Sequence, residues 1–154
     1  MADLDDIYSA RILELAGAIS HNGRLEAPDA SATAHSKLCG STVTIDVAMA
    51  DGRVQRFGQV VKACLLGQAA CSVMGREIVG SDAAELRAVS ARMRAMLKTN
   101  GPPPDGRWAD LAVLEPVRDY KGRHASVMLV FDAVEKSLAE IEARSGAALQ
   151  ATPA

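Results

Sequence analysis

The stretch from Ser41 to Met49 alternates strictly: Val43, Ile45, Val47 and Met49 fall on one side, and Thr42, Thr44 and Asp46 on the other. Side chains of a strand point to opposite faces in turn, so this is a strand buried on one face only. Asp51-Gly52 follows, a dipeptide suited to a hairpin turn, and Val54 to Val61 reads as the returning strand. Ala32 to Leu38 is expected to add a third strand. A one-faced antiparallel sheet must be covered by apolar elements. The expected fold class is therefore α+β, with a sheet of about three antiparallel strands packed on one face by helices. Val43, Ile45, Val47, Leu86, Val89, Val130, Phe131 and Val134 are expected in the core.

Helical spacing supplies that cover. Leu4, Ile7, Tyr8, Ile12, Leu15 and Ile19 predict an amphipathic helix ended by His21-Asn22-Gly23. Leu65 to Val79 reads as a helix closed by Gly80, with Cys71 on it as a small buried hydrophobe. Asp82 with Glu85 three residues on has the form of a capping box, and Leu86, Val89, Met93 and Met96 or Leu97 give the following helix an apolar stripe. Its Arg87, Arg92, Arg94 and Lys98 read as a solvated face in preference to a docking surface. Asn100 to Gly106 forms a loop, and a short helix resumes at Trp108. Ser126 is expected to cap a long last helix with Val127, Val130, Phe131, Val134, Leu138 and Ile141 inward. The Ala-rich tail from Ser145 lacks core anchors and is expected to fray. With 154 residues, 49% of them hydrophobic, residues 1–154 are expected to form a single domain.

Charge and motifs narrow the function. A net charge of −2 argues against a nucleic-acid binder that relies on neutralising phosphates. No apolar run reaches the roughly 20 residues of a membrane span, and the acidic Met1-Ala2-Asp3-Leu4-Asp5-Asp6 has the wrong sign for a leader. A cytoplasmic location without nucleic-acid or membrane partners is expected. There is no phosphate-binding glycine loop, no His-Glu-x-x-His, no CxxC and no serine elbow. Three cysteines do not make a disulfide framework.

Cys39 and Cys64 differ from Cys71 because each sits at an element boundary. Cys39 precedes Gly40 and the alternating strand; Cys64 stands where the returning strand gives way to a helix. The hairpin would bring the two loops to one end of the sheet, and a helix N-terminus after Cys64 favours a thiolate. Two thiols there begin a metal or sulfur site. His35 and His124 flank Cys39 and Ser126 and are weaker ligand candidates, as is Ser126 itself; His21 reads as a loop residue.

These residues carry a family resemblance. An opening helix with Ile7-Tyr8-Ser9-Ala10-Arg11, Cys39-Gly40 at a strand start, Lys62-Ala63-Cys64 with Gly67-Gln68-Ala69, and Arg123 to Leu129 at the last helix resemble the NifU N-terminal domain family over residues 7–138. That family comprises the U-type iron–sulfur cluster assembly scaffolds. The resemblance implies a non-enzymatic protein that binds iron or accepts sulfur through Cys39 and Cys64, holds an iron–sulfur cluster or iron transiently, and works with a cysteine desulfurase and apo-protein acceptors. It also exposes two departures. The Asp that follows Cys-Gly in the family is Ser41 here, and the third cysteine position is Ser126. A protonated hydroxyl is a poor ligand for a soft site. His35, His124, Asp119 or another chain would then complete the set. Two alternatives follow: a paralogue that has lost cluster chemistry and serves as a docking or regulatory module, and a zinc-binding version of the fold using Cys39, Cys64 and a histidine. The sequence leaves the oligomeric state open.

Overall fold

The computed structural model describes residues 9–37 and 40–151, with side chains as far as residue 144. Strands β1 (Ala30–His35), β2 (Thr42–Ala50) and β3 (Arg53–Lys62) form one antiparallel sheet in the order β1-β2-β3. Asp51 and Gly52 both have positive φ, 55° and 78°, as a two-residue hairpin turn with matching twist requires. A register shift between Ala48 and Met49 bends the hairpin just before that turn.

Register puts Val43 opposite Val61, Ile45 opposite Gln59 and Val47 opposite Phe57, so these residues share one face. That face is covered by helices α2 (Leu65–Glu77) and α4 (His124–Ala151), with α3 (Ala83–Lys98) packed on α4 and the short α1 (Ala10–Ala16) on α2. All eight residues expected in the core are buried, and Phe131, Ile45 and Leu86 are among the largest fully enclosed side chains. With few aromatics, Ile12, Leu66, Met74, Ile78, Met93 and Met96 fill the remainder.

The opposite face is not simply open to water. Asp46 lies on it with a side chain wholly enclosed, because the segment from His21 to Pro28 folds across. His21 O accepts from Gln59 N at 2.9 Å and Gly23 N donates to Gln59 O at 2.8 Å, fastening the strap to the outer edge of β3. Arg24 then donates to Asp46 through Nε at 2.7 Å and Nη2 at 3.0 Å, and Leu25 N donates at 2.9 Å. Ser31 Oγ completes the set from β1. A Cβ on Gly58 would stand 2.6 Å from Gly23 O, so only glycine lets the strap lie this close.

Several elements differ from the sequence expectation. The first helix is described from Ala10, capped by Ser9, and ends at Ala16 with Gly17 as its C-cap rather than at His21; Leu4, Ile7 and Tyr8 lie outside the described residues. Leu15 and Ile12 still bury inward, but Ala18 turns back on Leu15 O and begins the strap. Residues 106–119 form no α-helix: Gly106–Asp119 is a 3-10 run of 14 residues. Its buried Trp108, Leu111, Leu114 and Val117 recur every three residues, the period of a 3-10 turn, so tertiary burial holds a geometry that is poor by itself. Pro116 inside it has no N–H to lose from an α ladder.

Ser126 is not a cap: the last helix begins at His124, entered from a 3-10 turn over Lys121–Arg123, and Ser126 is within its first turn. The arginines of α3 are not a free solvated face either. Arg87 forms a two-pronged pair with Glu142 at 2.6 and 3.0 Å, Arg94 reaches Asp132 at 3.1 Å, and Arg92 donates to Pro103 O at 3.1 Å. Arg87 and Arg94 thus join α3 to α4, and Arg92 ties α3 to the proline loop. Asp82 does cap α3, accepting from Glu85 N at 2.8 Å, but the Glu85 carboxylate turns to Ser81 Oγ, Trp108 Nε1 and Arg107. Half of the capping box is spent on anchoring the 3-10 run. The side chains of the expected frayed tail lie outside the described residues.

Candidate functional site

Cys64 and Gly40, the described residues of the expected cysteine site, lie at the end of the sheet away from the Asp51-Gly52 turn. The last row of paired residues there is His35, Thr42 and Lys62. Beyond it, β1 and β2 are joined by a tight loop: Ser36 N donates to Ser41 O and Gly40 N to Ser36 O, each at 2.9 Å. Leu38 and Cys39 link Lys37 to Gly40 and lie outside the described residues. Gly40 has φ +70°, which only glycine adopts without strain.

Beyond Lys62 the chain turns into α2, with Cys64 at the N-cap position. Its thiol is free and half-buried, its side chain makes no capping hydrogen bond, and the residue packs against the edge of the core. Gln68 holds the loop shape from within: its backbone N–H donates to Cys64 O at 2.9 Å and its side-chain amide to Ala63 O at 2.7 Å. One turn along, Gly67 meets the first turn of α4. A Cβ there would be 2.9 Å from Ala63 Cβ and 3.0 Å from Ser126 O. Gly67, three residues after Cys64, therefore packs against the backbone of Ser126, and this junction joins two chain segments far apart in sequence.

Ser126 and Ser41 are both buried, at 1% and 4% exposure. His124 is buried too, with Nε2 at 3.0 Å from Val117 O and 3.1 Å from Arg118 O. Two carbonyls can only accept, so this nitrogen carries the proton and braces the turn into α4. His35 sits in the end row on the face turned away from the helices and is exposed; Asp119 is exposed at the end of the 3-10 run. Cys71 is fully buried on α2, and burial pushes its thiol up to about 12, so at neutral pH it stays protonated and inert. Among the described residues, no group of three or more His, Cys, Asp or Glu gathers as a metal site, so the zinc alternative finds no support there. Among them, too, no helix is long and apolar enough to cross a membrane.

Gly67 and Gln68 do more for this site than their place in the sequence alone suggests. The signal was a glycine three residues inside a helix, where it is costly unless another backbone comes close.

No family model matches the chain, and a search of curated proteins returns no match. Among solved structures it is similar to a nitrogen-fixing NifU-like protein (N-terminal) from Brucella abortus, at 57% identity over 90% of this chain and 96% of that one, with a TM-score of 0.89. It also shares its fold with a protein from Fervidobacterium islandicum AW-1 described as an iron–sulfur cluster assembly scaffold protein for the SUF system, at 18% identity, a TM-score of 0.80, and coverage of 88% of this chain and 99% of that one. The second likeness speaks for the fold alone. The first joins majority identity to the same fold over nearly the whole of both chains, and on that ground this chain belongs to the NifU-like N-terminal family.

Proposed function

We propose that this chain is a scaffold in iron–sulfur cluster assembly that takes iron or sulfur through Cys39 and Cys64 and passes it on. The observation that carries the reading is the 57% identity with a NifU-like N-terminal protein over 90% of the chain. A cysteine desulfurase as sulfur source and an apo-protein as acceptor belong to the same proposal. Iron and cluster are cargo here, not a resident cofactor.

The donor chemistry supports brief holding. Cys64 is a half-buried thiol at a loop–helix junction, unlike the enclosed Cys71. Thiolates are soft donors suited to iron–sulfur chemistry, whereas the hydroxyls of Ser41 and Ser126 stay protonated near neutral pH and bind iron weakly. Two thiols per chain leave coordination positions to be filled by His35, by Asp119, by the remaining nitrogen of His124 or by another chain. A site short of soft donors releases its cargo readily.

Anaerobic reconstitution with iron and sulfide tests this. Wild type is expected to take up both and to lose them rapidly to a chelator. Ser126→Cys should hold them several-fold longer, and Ser41→Asp added to it longer still. Cys39→Ala and Cys64→Ala should each abolish uptake, and unchanged uptake in both would overturn the assignment of these thiols. The two serines favour a second reading, a docking module without cluster chemistry. On that reading wild type takes up no iron, and Cys39→Ala leaves the cellular role of the protein intact.

A further inference from the structure

Most cations of this protein are committed to carboxylates. Nine of the 17 lysines and arginines form ion pairs among the described residues, all of them arginines and Arg118 among them. Lys98 and Lys121, like Lys37, Lys62 and Arg123, have neither an ion pair nor a side-chain hydrogen-bond partner among the described residues. Lys98 and Lys121 line one cavity of about 310 Å³ together with Leu97, Asn100, Arg118 and His124. Two ammonium groups without ion pairs thus share a wall with the guanidinium of Arg118, whose carboxylate partner Glu115 is not among the lining residues.

We propose that this cavity is a binding site for a small oxyanion, a phosphate or a carboxylate. Its volume is at the small end of ligand cavities, which suits a compact ion over an extended ligand. The parts divide into a fixed half and an adaptable half. Arg118 is held in place: Nη2 donates to Gly101 O at 3.2 Å, and Glu115 lies 3.5 Å from the same nitrogen. Its Nε is buried without a partner, so the guanidinium keeps an unused donor. His124 is held by its two carbonyls and opens the 28-residue helix α4, whose N-terminal end adds positive potential beside the cavity. Lys98 and Lys121 are exposed, and the long stem of a lysine lets each ammonium group adjust to a bound anion.

Lys98 also lies in the last turn of α3, where a cation is favourable without any ligand. That role needs no Lys121 and gives no saturable anion binding, so the two readings separate by titration. The site uses neither cysteine, and variants at its lysines leave both thiols in place, so its failure and the failure of the scaffold reading are distinguishable.

The test is calorimetric titration of the full chain, without iron, at fixed ionic strength. Inorganic phosphate and malonate are the two probes, with chloride as the reference. Saturable one-to-one binding of either probe is expected, and the probe that binds more tightly distinguishes phosphate from carboxylate. The double variant Lys98→Gln/Lys121→Gln should weaken binding at least tenfold, and Lys98→Arg/Lys121→Arg should restore most of it. Both variants change exposed side chains and should keep the wild-type circular dichroism. Absence of saturation with both probes, or equal binding by the glutamine variant, overturns the site.

Discussion

The middle of the sheet and its thiol end treat their polar groups in opposite ways. At the middle of the strand, Asp46 is enclosed with four donors, two from Arg24 and one each from Leu25 N and Ser31 Oγ. At the thiol end, Cys64 makes no capping hydrogen bond, and Lys98 and Lys121, without ion pairs, line a cavity at the start of α4. The first arrangement is satisfied and has nothing left to bind with. The second leaves a thiol without a capping bond and cationic groups without ion pairs. On the proposed function, stability and cargo handling thereby fall to different parts of one sheet.

If that division is right, the largest effect on stability comes from Asp46. Asp46→Ala strands the donors of the strap and should cost roughly 2–4 kcal/mol in urea unfolding. Iron uptake, corrected for the folded fraction, should remain. The pH dependence carries the same signature. Burial pushes the Asp46 carboxyl up, but hydrogen bonds from Arg24, Ser31 and Leu25 N and the charge of Arg24 outweigh it, and the group ends below its ordinary value of 3.8. A carboxyl with a lowered folded pKa stabilises fully above its unfolded value. That contribution fades as pH falls through the folded one. Wild type should therefore lose stability below about pH 4. Asp46→Asn should flatten that slope in part, since Glu85, Asp110 and Glu142 are lowered as well.

An intermediate effect is expected at the junction between α2 and α4. Gly67→Ala places a methyl against Ala63 Cβ and Ser126 O, and should destabilise by about 1–3 kcal/mol. Unlike Asp46→Ala it should also disturb iron uptake, because it separates the Cys64 loop from Ser126. Equal stability loss with unaltered uptake would show that the junction does not shape the site.

The smallest stability effect belongs to Cys64→Ser. The residue is half-buried and its side chain makes no capping hydrogen bond, so thermal or urea unfolding should shift by no more than about 1 kcal/mol. Iron uptake should nevertheless be lost. A large loss of stability would mean that this thiol is a packing residue and would erase the contrast between the two regions.

Much of the fold was legible because it rests on local periodicity. Val43, Ile45 and Val47 declare a one-faced strand, Asp51-Gly52 declares its turn, and Asp82 declares the start of α3. The 3-10 run was legible in principle from Trp108, Leu111, Leu114 and Val117, whose three-residue spacing does not fit an α-helix. Asp46 was misleading: alternation assigns it to the polar face but cannot show that a strap from His21 to Pro28 will cover that face. The arginines of α3 were misread in the same way, since their partners Glu142 and Asp132 lie about 40 to 55 residues along the chain.

The sequence by itself determined the sheet, its antiparallel order, the helical cover and the family resemblance, because each follows from spacing between near neighbours. Only the tertiary structure decided that Gly67 would touch Ser126, that His124 would have one nitrogen committed to two carbonyls, and that Lys98 and Lys121 would meet across one cavity. Those are contacts between segments far apart in the chain, set by how α2, α3 and α4 pack, and periodicity along a single element carries no information about them.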